Sequence, residues 1–107
     1  MVKKILLLIL FISFSFIGFS QEKSIKDVKA SPNPFSNKTT FYFQSNSNEQ
    51  IILTVKNVLG KTVFHKTYKV QAGKNELPFY RNNLKSGMYI YAIQTKEQVI
   101  SKRFVIR

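Results

Sequence analysis

The chain has 107 residues and carries 17 Lys and Arg against 5 Asp and Glu, a formal net charge of +12 at pH 7. It contains no cysteine, which excludes disulfide bridges, thiolate nucleophiles and cysteine-ligated metal sites. This length predicts one small domain, which must be stabilised by its apolar core alone.

The positive charge favours anionic partners, but its distribution is not that of a nucleic-acid site. The lysines are dispersed along the chain, and no run of five like charges occurs. This pattern is typical of solvent-facing strand positions, so we expect no nucleic-acid partner.

Residues 1–20 have the organisation of a secretory signal peptide. A short positively charged segment precedes an apolar stretch of 13 residues at 5–17. The stretch is shorter than the ~20 residues that span a bilayer, so we expect no stable membrane span, with a retained signal anchor as the alternative. Gly18 and Ser20 are the small residues that would precede the cleavage site, which leaves a short polar linker at 21–26.

Beyond the linker, residues 27–107 predict a single all-β domain. Short runs of β-branched and aromatic residues alternate with polar ones and are separated by polar or glycine-containing turns, and no stretch of 11 or more residues has helical periodicity. The spacing of about ten to twelve residues is typical of an antiparallel β-sandwich. In chain order the seven predicted strands lie at 27–30, 39–44, 50–56, 62–70, 75–80, 88–95 and 98–106.

A stiff elbow is predicted between the first two strands, in the stretch Ser-Pro-Asn-Pro-Phe at 31–35. Pro32 and Pro34 fix φ and remove two N–H donors, and each favours extended geometry in the residue before it. We expect Phe35 to pack beneath this elbow and to close one end of the core.

Two features of the next strands indicate their geometry. The connection at 57–61 is tight, and Gly60 can adopt the positive φ that such a turn requires. Pro78 cannot donate to a hydrogen-bond ladder, which places the strand at 75–80 at the edge of a sheet.

The last two strands predict a C-terminal hairpin. Both faces of the strand at 88–95 carry apolar side chains, so we expect it to lie centrally in its sheet. Tyr89, Tyr91 and Ile93 are predicted to face the core. The Tyr89 hydroxyl, directly after a glycine-led turn, is predicted to hold that turn by a hydrogen bond.

Residues that could support catalysis or bind a metal are few. His65 is the only histidine, and a lone histidine without cysteine makes a poor metal site. The acidic residues are dispersed, and neither a phosphate-binding glycine loop nor a nucleophile elbow occurs. We therefore expect no enzymatic activity, no cofactor and no metal.

An exposed row of aromatic side chains is an alternative basis for function. Tyr42, Phe64, Tyr68 and Tyr80 could project outward from the strands and stack on sugar rings. The protein would then be a small secreted surface adhesion or glycan-binding module. The competing interpretation is that half of these side chains fill apolar positions in the sandwich.

Three segments together resemble one known family. They are Ser31–Phe35 followed by a Thr-Thr-aromatic strand, Leu53–Lys61 with its turn, and Leu84–Tyr91 with the basic tail Lys102–Arg107. Their order, spacing and position are similar to the type A C-terminal sorting domain of the type IX secretion system, also called the Por secretion system. The resemblance covers about residues 27–107.

The resemblance implies an immunoglobulin-like β-sandwich and a non-enzymatic sorting signal that is recognised in folded form. It implies passage by the Sec pathway into the periplasm of a Gram-negative bacterium, then export across the outer membrane, so that the protein is secreted or held at the cell surface. The implied partners are the type IX translocon and its shuttle components, with a sortase-like surface cysteine peptidase and anionic lipopolysaccharide. The positions that match the family's motifs are Pro32, Asn33, Pro34, Gly60, Lys61, Gly87, Tyr89, Lys102, Arg103 and Arg107.

We interpret the elbow and the two glycine turns as fold-determining, and the basic tail from Lys102 as the contact surface. Members of the family normally carry a large cargo ahead of the domain, whereas here only about seven residues separate the expected cleavage site from the domain. We expect a free-standing sorting domain, a remnant of a longer gene, or a small secreted protein whose sandwich is itself the product.

Overall fold

Seven antiparallel strands make up the secondary structure of residues 24–107, the part of the chain that the computed structural model describes. The predicted signal peptide lies outside the described residues. No helix occurs in the described part, and hence none there that is long and apolar enough to cross a membrane. The strands are β1 (Ile25–Ser31), β2 (Lys38–Ser45), β3 (Glu49–Asn57), β4 (Thr62–Val70), β5 (Gly73–Tyr80), β6 (Gly87–Gln94) and β7 (Val99–Ile106).

The strands form two sheets, one with the order β1-β2-β5 and one with the order β4-β3-β6-β7. This arrangement confirms the predicted all-β, immunoglobulin-like sandwich of about seven strands. The strand that contains Pro78 is β5, which lies at the edge of the three-stranded sheet as its proline required. The strand β6 lies between β3 and β7, as its two apolar faces predicted.

The core between the sheets is centred on Phe104 in β7, whose side chain is fully buried. Alternation along each strand places one set of side chains between the sheets, where removal of apolar surface from water stabilises the fold. The ring of Phe104 is surrounded at centroid distances of 5.5–5.7 Å by the rings of Phe35, Phe41, Phe79, Tyr89 and Tyr91. The predicted burial of Phe35 and of the Tyr89, Tyr91 and Ile93 side chains is confirmed.

Polar side chains bridge the two sheets where β1 faces β7. The Gln98 amide accepts a hydrogen bond from the Ile25 N–H at 3.1 Å and donates one to the Ile25 carbonyl at 3.1 Å. Farther along, β1 contains a bulge at Asp27, which has a φ of 56°. The Lys102 ammonium donates to the Val28 carbonyl oxygen beside this bulge.

On the opposite side of the sandwich, the edge strand β4 carries a charged side chain that discourages pairing with another chain. Lys66 on the edge strand β4 lies opposite Leu53, on the face of the sheet that packs against the core. Its ammonium stays near the rim, 5.1 Å from the centroid of the Tyr68 ring. An inward-pointing charge on an edge strand discourages pairing with a second chain, because pairing would bury the charge.

Candidate functional site

The segments that carry the sequence motifs meet at one end of the sandwich. Strand register places Lys38 beside Tyr80 and Gly87 beside Ile106, so the connections before β2 and β6 lie at the same end as the last residue of β7. The β3–β4 turn follows Asn57, which pairs with Tyr89 at this end. We call this region the motif end; it consists of residues 32–37, 57–61, 81–87 and 107.

The elbow is fastened to the C-terminal strand by Asn33. The Val105 N–H donates to Asn33 Oδ1 at 3.0 Å, and Asn33 Nδ2 donates to the Arg103 carbonyl at 3.4 Å. These two backbone groups lie on the free edge of β7, so the Asn33 amide makes the hydrogen bonds that a neighbouring strand would otherwise make. Pro32 and Pro34 flank this amide, and the peptide bonds that precede them are both cis.

Two further contacts fix the elbow. The hydroxyl of Thr39, which is fully buried, donates to the Pro32 carbonyl at 2.7 Å. Phe35 forms a parallel bridge with Ile106: its N–H donates to the Val105 carbonyl at 3.0 Å, and its carbonyl accepts from the Arg107 N–H at 2.8 Å. Backbone hydrogen bonds therefore hold the elbow against the end of β7, although most of the domain lies between them in the sequence.

Arg81 joins the remaining segments of the motif end. Its Nε donates to the Leu84 carbonyl at 2.9 Å and its Nη2 to the Ser86 hydroxyl at 2.9 Å, which orders the β5–β6 loop. Its Nη1 donates to the carbonyl oxygens of Ser36 and Arg107. The planar guanidinium supplies five donors in a fixed arrangement, so a single side chain can hold three segments together.

The glycine-led turn before β6 is held as predicted. The Tyr89 hydroxyl donates to the Lys85 carbonyl at 2.7 Å, while its ring stacks on Phe104. Gly87 has a φ of 147°, which side chains rarely adopt. The turn thus depends on a glycine and on a buried phenol, and both are among the predicted site residues.

The β3–β4 turn is organised by the Asn57 side chain. Its Oδ1 accepts hydrogen bonds from the N–H groups of Leu59 and Lys61, each at 3.0 Å. Gly60 has the predicted positive φ, at 84°. The turn exposes Leu59 at 89% and Val58 at 64%, together with the Lys61 side chain.

The three predicted basic residues of the tail differ in their surroundings. Lys102 has the same strand parity as the buried Phe104, and its ammonium is engaged by β1, so it bridges the two sheets. Arg103 lies on the outer face of β7 and is exposed. Arg107 is exposed at the motif end. The tail is therefore divided: one of these residues belongs to the fold and two are available for contact.

The motif end is positively charged. Lys61, Lys85, Arg81 and Arg107 lie in its segments, while the acidic residues of the described chain lie in β1, at the start of β3, in β5 and in the β6–β7 turn. No group of three metal-ligating side chains occurs within residues 24–107. The arrangement at this end can present cations and an exposed turn to another macromolecule.

The outward aromatic row is only half present. Tyr42 and Tyr80 lie on the outer face of the three-stranded sheet, where the ammonium groups of lysines lie 5.7 and 5.5 Å from their ring centroids. The interpretation in which Phe64 and Tyr68 project outward is wrong, and the competing one, in which half of the four side chains fill apolar positions, is confirmed. Both pack against the core, and the Phe64 ring centroid lies 5.3 Å from that of Phe79. The four side chains therefore do not form one platform for stacking on sugar rings.

Burial perturbs the phenol of Tyr91 in the core. The pKa of Tyr91 is raised from 10.0 to about 12 because the charged form would lose its solvation. This phenol is neutral at physiological pH and acts as an apolar ring packed 4.5 Å from Phe41, centroid to centroid.

Three contributors to the motif end were not identified from the sequence. Arg81 and Thr39 carry no local pattern that reveals a role, because their partners lie elsewhere in the chain. Asn57 did carry a signal: an asparagine that begins a glycine-containing turn often accepts hydrogen bonds from the backbone two or more residues on.

Comparison with known proteins assigns the chain. A search of curated proteins found no match. Residues 29–107 match the model of a protein family described as "Secretion system C-terminal sorting domain". The matched range begins within β1 and includes every segment of the motif end. The chain therefore belongs to the family of secretion system C-terminal sorting domains that serve type IX secretion.

Proposed function

We propose that the folded sandwich is the sorting signal, and that the type IX secretion machinery recognises it as a three-dimensional surface. Membership of the family supports a sorting role and export to the cell surface or beyond. The family is not a family of enzymes, and the protein acts as a substrate of the machinery.

One observation supports recognition in folded form. The elbow, the β3–β4 turn, the β5–β6 loop and the C-terminal residue are separated in sequence, and long-range contacts assemble them into one surface. The bond from Val105 to Asn33 joins residues 72 positions apart. An unfolded chain would present each segment singly, so a receptor could not contact them together.

The structural role of each motif residue refines the proposal. Pro32 and Pro34 restrict the backbone of the elbow, and the side chains of Asn33 and Lys102 bind backbone groups of other strands, so these residues maintain the fold. The turn residues Gly60, Gly87 and Tyr89 also maintain the fold. Lys61, Arg103 and Arg107 keep exposed cationic side chains and are the proposed contact residues.

The specific partners that we propose would bind this surface or act on the exported protein. Translocon and shuttle proteins are the proposed receptors of the motif end. A sortase-like surface peptidase would act on the exported protein, and anionic lipopolysaccharide is the proposed attachment partner, supported by the net positive charge of the chain. A domain without cysteine needs no periplasmic oxidation before it is recognised.

The test is a fusion of a signal peptide, a fluorescent reporter and residues 21–107, expressed with and without the type IX translocon. We expect surface fluorescence only in cells that have the translocon. A matched fusion with Lys61→Ala, Arg103→Ala and Arg107→Ala should be exported poorly while its thermal unfolding stays close to that of the parent. Equal retention of the parent fusion in both strains would refute the proposal.

A further inference from the structure

The outer face of the four-stranded sheet carries an apolar patch that no described segment covers. It consists of Met88, Ile90 and Val105, which are 41%, 40% and 38% exposed. Met88 and Val105 are directly opposite each other on β6 and β7, and Ile90 follows two residues along β6 on the same face. We call this set the β6–β7 patch.

Cations flank the patch on both sides. Ile90 pairs with Lys56 of β3 on one side and with Arg103 of β7 on the other, so the three side chains form a row across the sheet. The Arg103 carbonyl accepts a hydrogen bond from Asn33, and the Arg103 side chain lies on the outer face of β7 and is exposed. A shallow depression of about 500 Å³ lies here, lined by Ile90, Ser101, Lys102 and Arg103.

Within residues 24–107, the outer face of the three-stranded sheet carries no comparable patch of uncovered aliphatic side chains framed by cations. Its large side chains, Tyr42 and Tyr80, each have a lysine ammonium over the ring. Glu76 lies directly opposite Tyr42, so this face carries both signs of charge. Contiguous uncovered aliphatic groups framed by a single sign of charge occur on the four-stranded face, an arrangement that suits an interface with an apolar centre and a charged rim.

We infer that the β6–β7 patch docks a protein surface of the secretion machinery that is apolar at its centre and acidic at its rim. The inference rests on the proposed function and names a second contact surface, next to the motif end. Charge complementarity selects the partner, because Lys56 and Arg103 repel a cationic rim and attract carboxylates. A hydrophobic centre with a polar rim is the usual anatomy of a protein–protein interface.

Two other occupants fit the observations less well. A second copy of the chain would bring the same cations of each molecule together, at an electrostatic cost. A lipid surface read by charge alone would bind either face, because Lys29, Lys38 and Lys74 lie on the three-stranded sheet. A protein partner with an apolar centre and an acidic rim uses both the aliphatic centre and the flanking cations.

The test measures export of the full chain, expressed in cells with and without the translocon and quantified outside the cell by immunoblot. The patch variants are Ile90→Thr, which keeps a β-branched side chain in the strand, and Arg103→Glu, which leaves the backbone contacts of residue 103 intact. The two substitutions are combined in a double patch variant. The matched controls are Ile52→Thr, on the same outer face but away from the patch, and Lys74→Glu, the same charge reversal on the other sheet. Thermal unfolding of each purified variant checks that the fold persists.

We expect the double patch variant to be exported about tenfold more slowly than the parent, a loss typical of removing a central interface residue. The double control should be exported at the parent rate. Equal export of patch variant and parent, with export still dependent on the translocon, would overturn the inference and remove Arg103 from the proposed contact residues, while the sorting role and the proposed contacts of Lys61 and Arg107 would stand. Parent export that is independent of the translocon would overturn both.

Two further outcomes would identify the competing occupants. An equal reduction by Lys74→Glu and Arg103→Glu would overturn the inference in favour of an anionic lipid read by charge. A concentration-dependent dimer in sedimentation, abolished by Ile90→Thr, would overturn it in favour of a second copy of the chain.

Discussion

Replacement of Phe104 by alanine should strongly destabilise the domain. The side chain is fully buried and contacts five aromatic rings, so its removal leaves a large cavity between the sheets. Truncation of a buried phenylalanine costs about 3–5 kcal/mol. The typical stability of ~0.05–0.15 kcal/mol per residue gives about 4–13 kcal/mol for a domain of this size. The substitution therefore removes a large share of the total.

The assay is thermal unfolding followed by circular dichroism, with Val99→Ala as the control. Val99 lies on the same strand but is 60% exposed, so its truncation should change stability by no more than ~0.5 kcal/mol. At ~4–8 °C per kcal/mol for a small domain, Phe104→Ala should lower Tm by roughly 12–40 °C. A Tm within a few degrees of the parent would refute the assignment of Phe104 to the centre of the core.

Three further predictions concern single polar groups. Tyr89→Phe removes the hydrogen bond to Lys85 and keeps the stacked ring, so the free energy of unfolding in a denaturant titration should fall by about 1 kcal/mol; an unchanged value would contradict a role for the hydroxyl. Thr39→Val leaves the Pro32 carbonyl without its buried donor and should cost about 1–3 kcal/mol in the same titration, whereas no loss would mean that the elbow is held by other contacts. Burial raises the pKa of Tyr91 from 10.0 to about 12, so the folded protein retains a proton that the unfolded chain has lost; this contribution to stability is complete below pH 10 and lost as pH rises from about 10 to about 12. Denaturant titrations between pH 10 and pH 12 should show that the free energy of unfolding falls more steeply with pH for the parent than for Tyr91→Phe. An equal fall in the two proteins would refute the raised pKa of Tyr91.

Most of the fold could be predicted because its determinants are local. Alternation of apolar and polar residues identified all seven strands, and the two apolar faces of β6 gave its central position. The glycine in the β3–β4 turn and the proline in β5 each limit the backbone directly, so Gly60 and Pro78 were placed correctly. The Tyr89 hydroxyl was predictable because a buried phenol needs an acceptor and a turn lies next to it.

The parts that could not be predicted depend on partners far away in the sequence. Asn33 bonds to the edge of β7, and Arg81 bonds to the C-terminal residue, contacts that no local pattern encodes. Lys102 is different: we interpreted the tail from Lys102 as a contact surface, although its parity with Phe104 could have indicated the inner face. Phe64 and Tyr68 share the parity of the buried Val70, so the alternation of β4 indicated that they face the core.

Some motif residues maintain the fold and others are exposed for contact, and this difference affects how truncation experiments should be interpreted. Deletion of the last six residues would remove Phe104 and Ile106, both buried, along with the exposed cations Arg103 and Arg107. Lost export would then follow from unfolding as readily as from a lost contact. Substitutions confined to the exposed side chains separate the two effects, because the core and the elbow stay intact.

The central claim is that the machinery recognises the folded sandwich, and the most direct measurement is surface export of the reporter fused to the Phe104→Ala domain. The amount at the surface should be normalised to the total amount in the cell and compared with the parent and with Val99→Ala. Recognition of the fold predicts that Phe104→Ala is retained in the periplasm while Val99→Ala is exported like the parent. Normal export of a Phe104→Ala domain that is unfolded by circular dichroism would contradict the account.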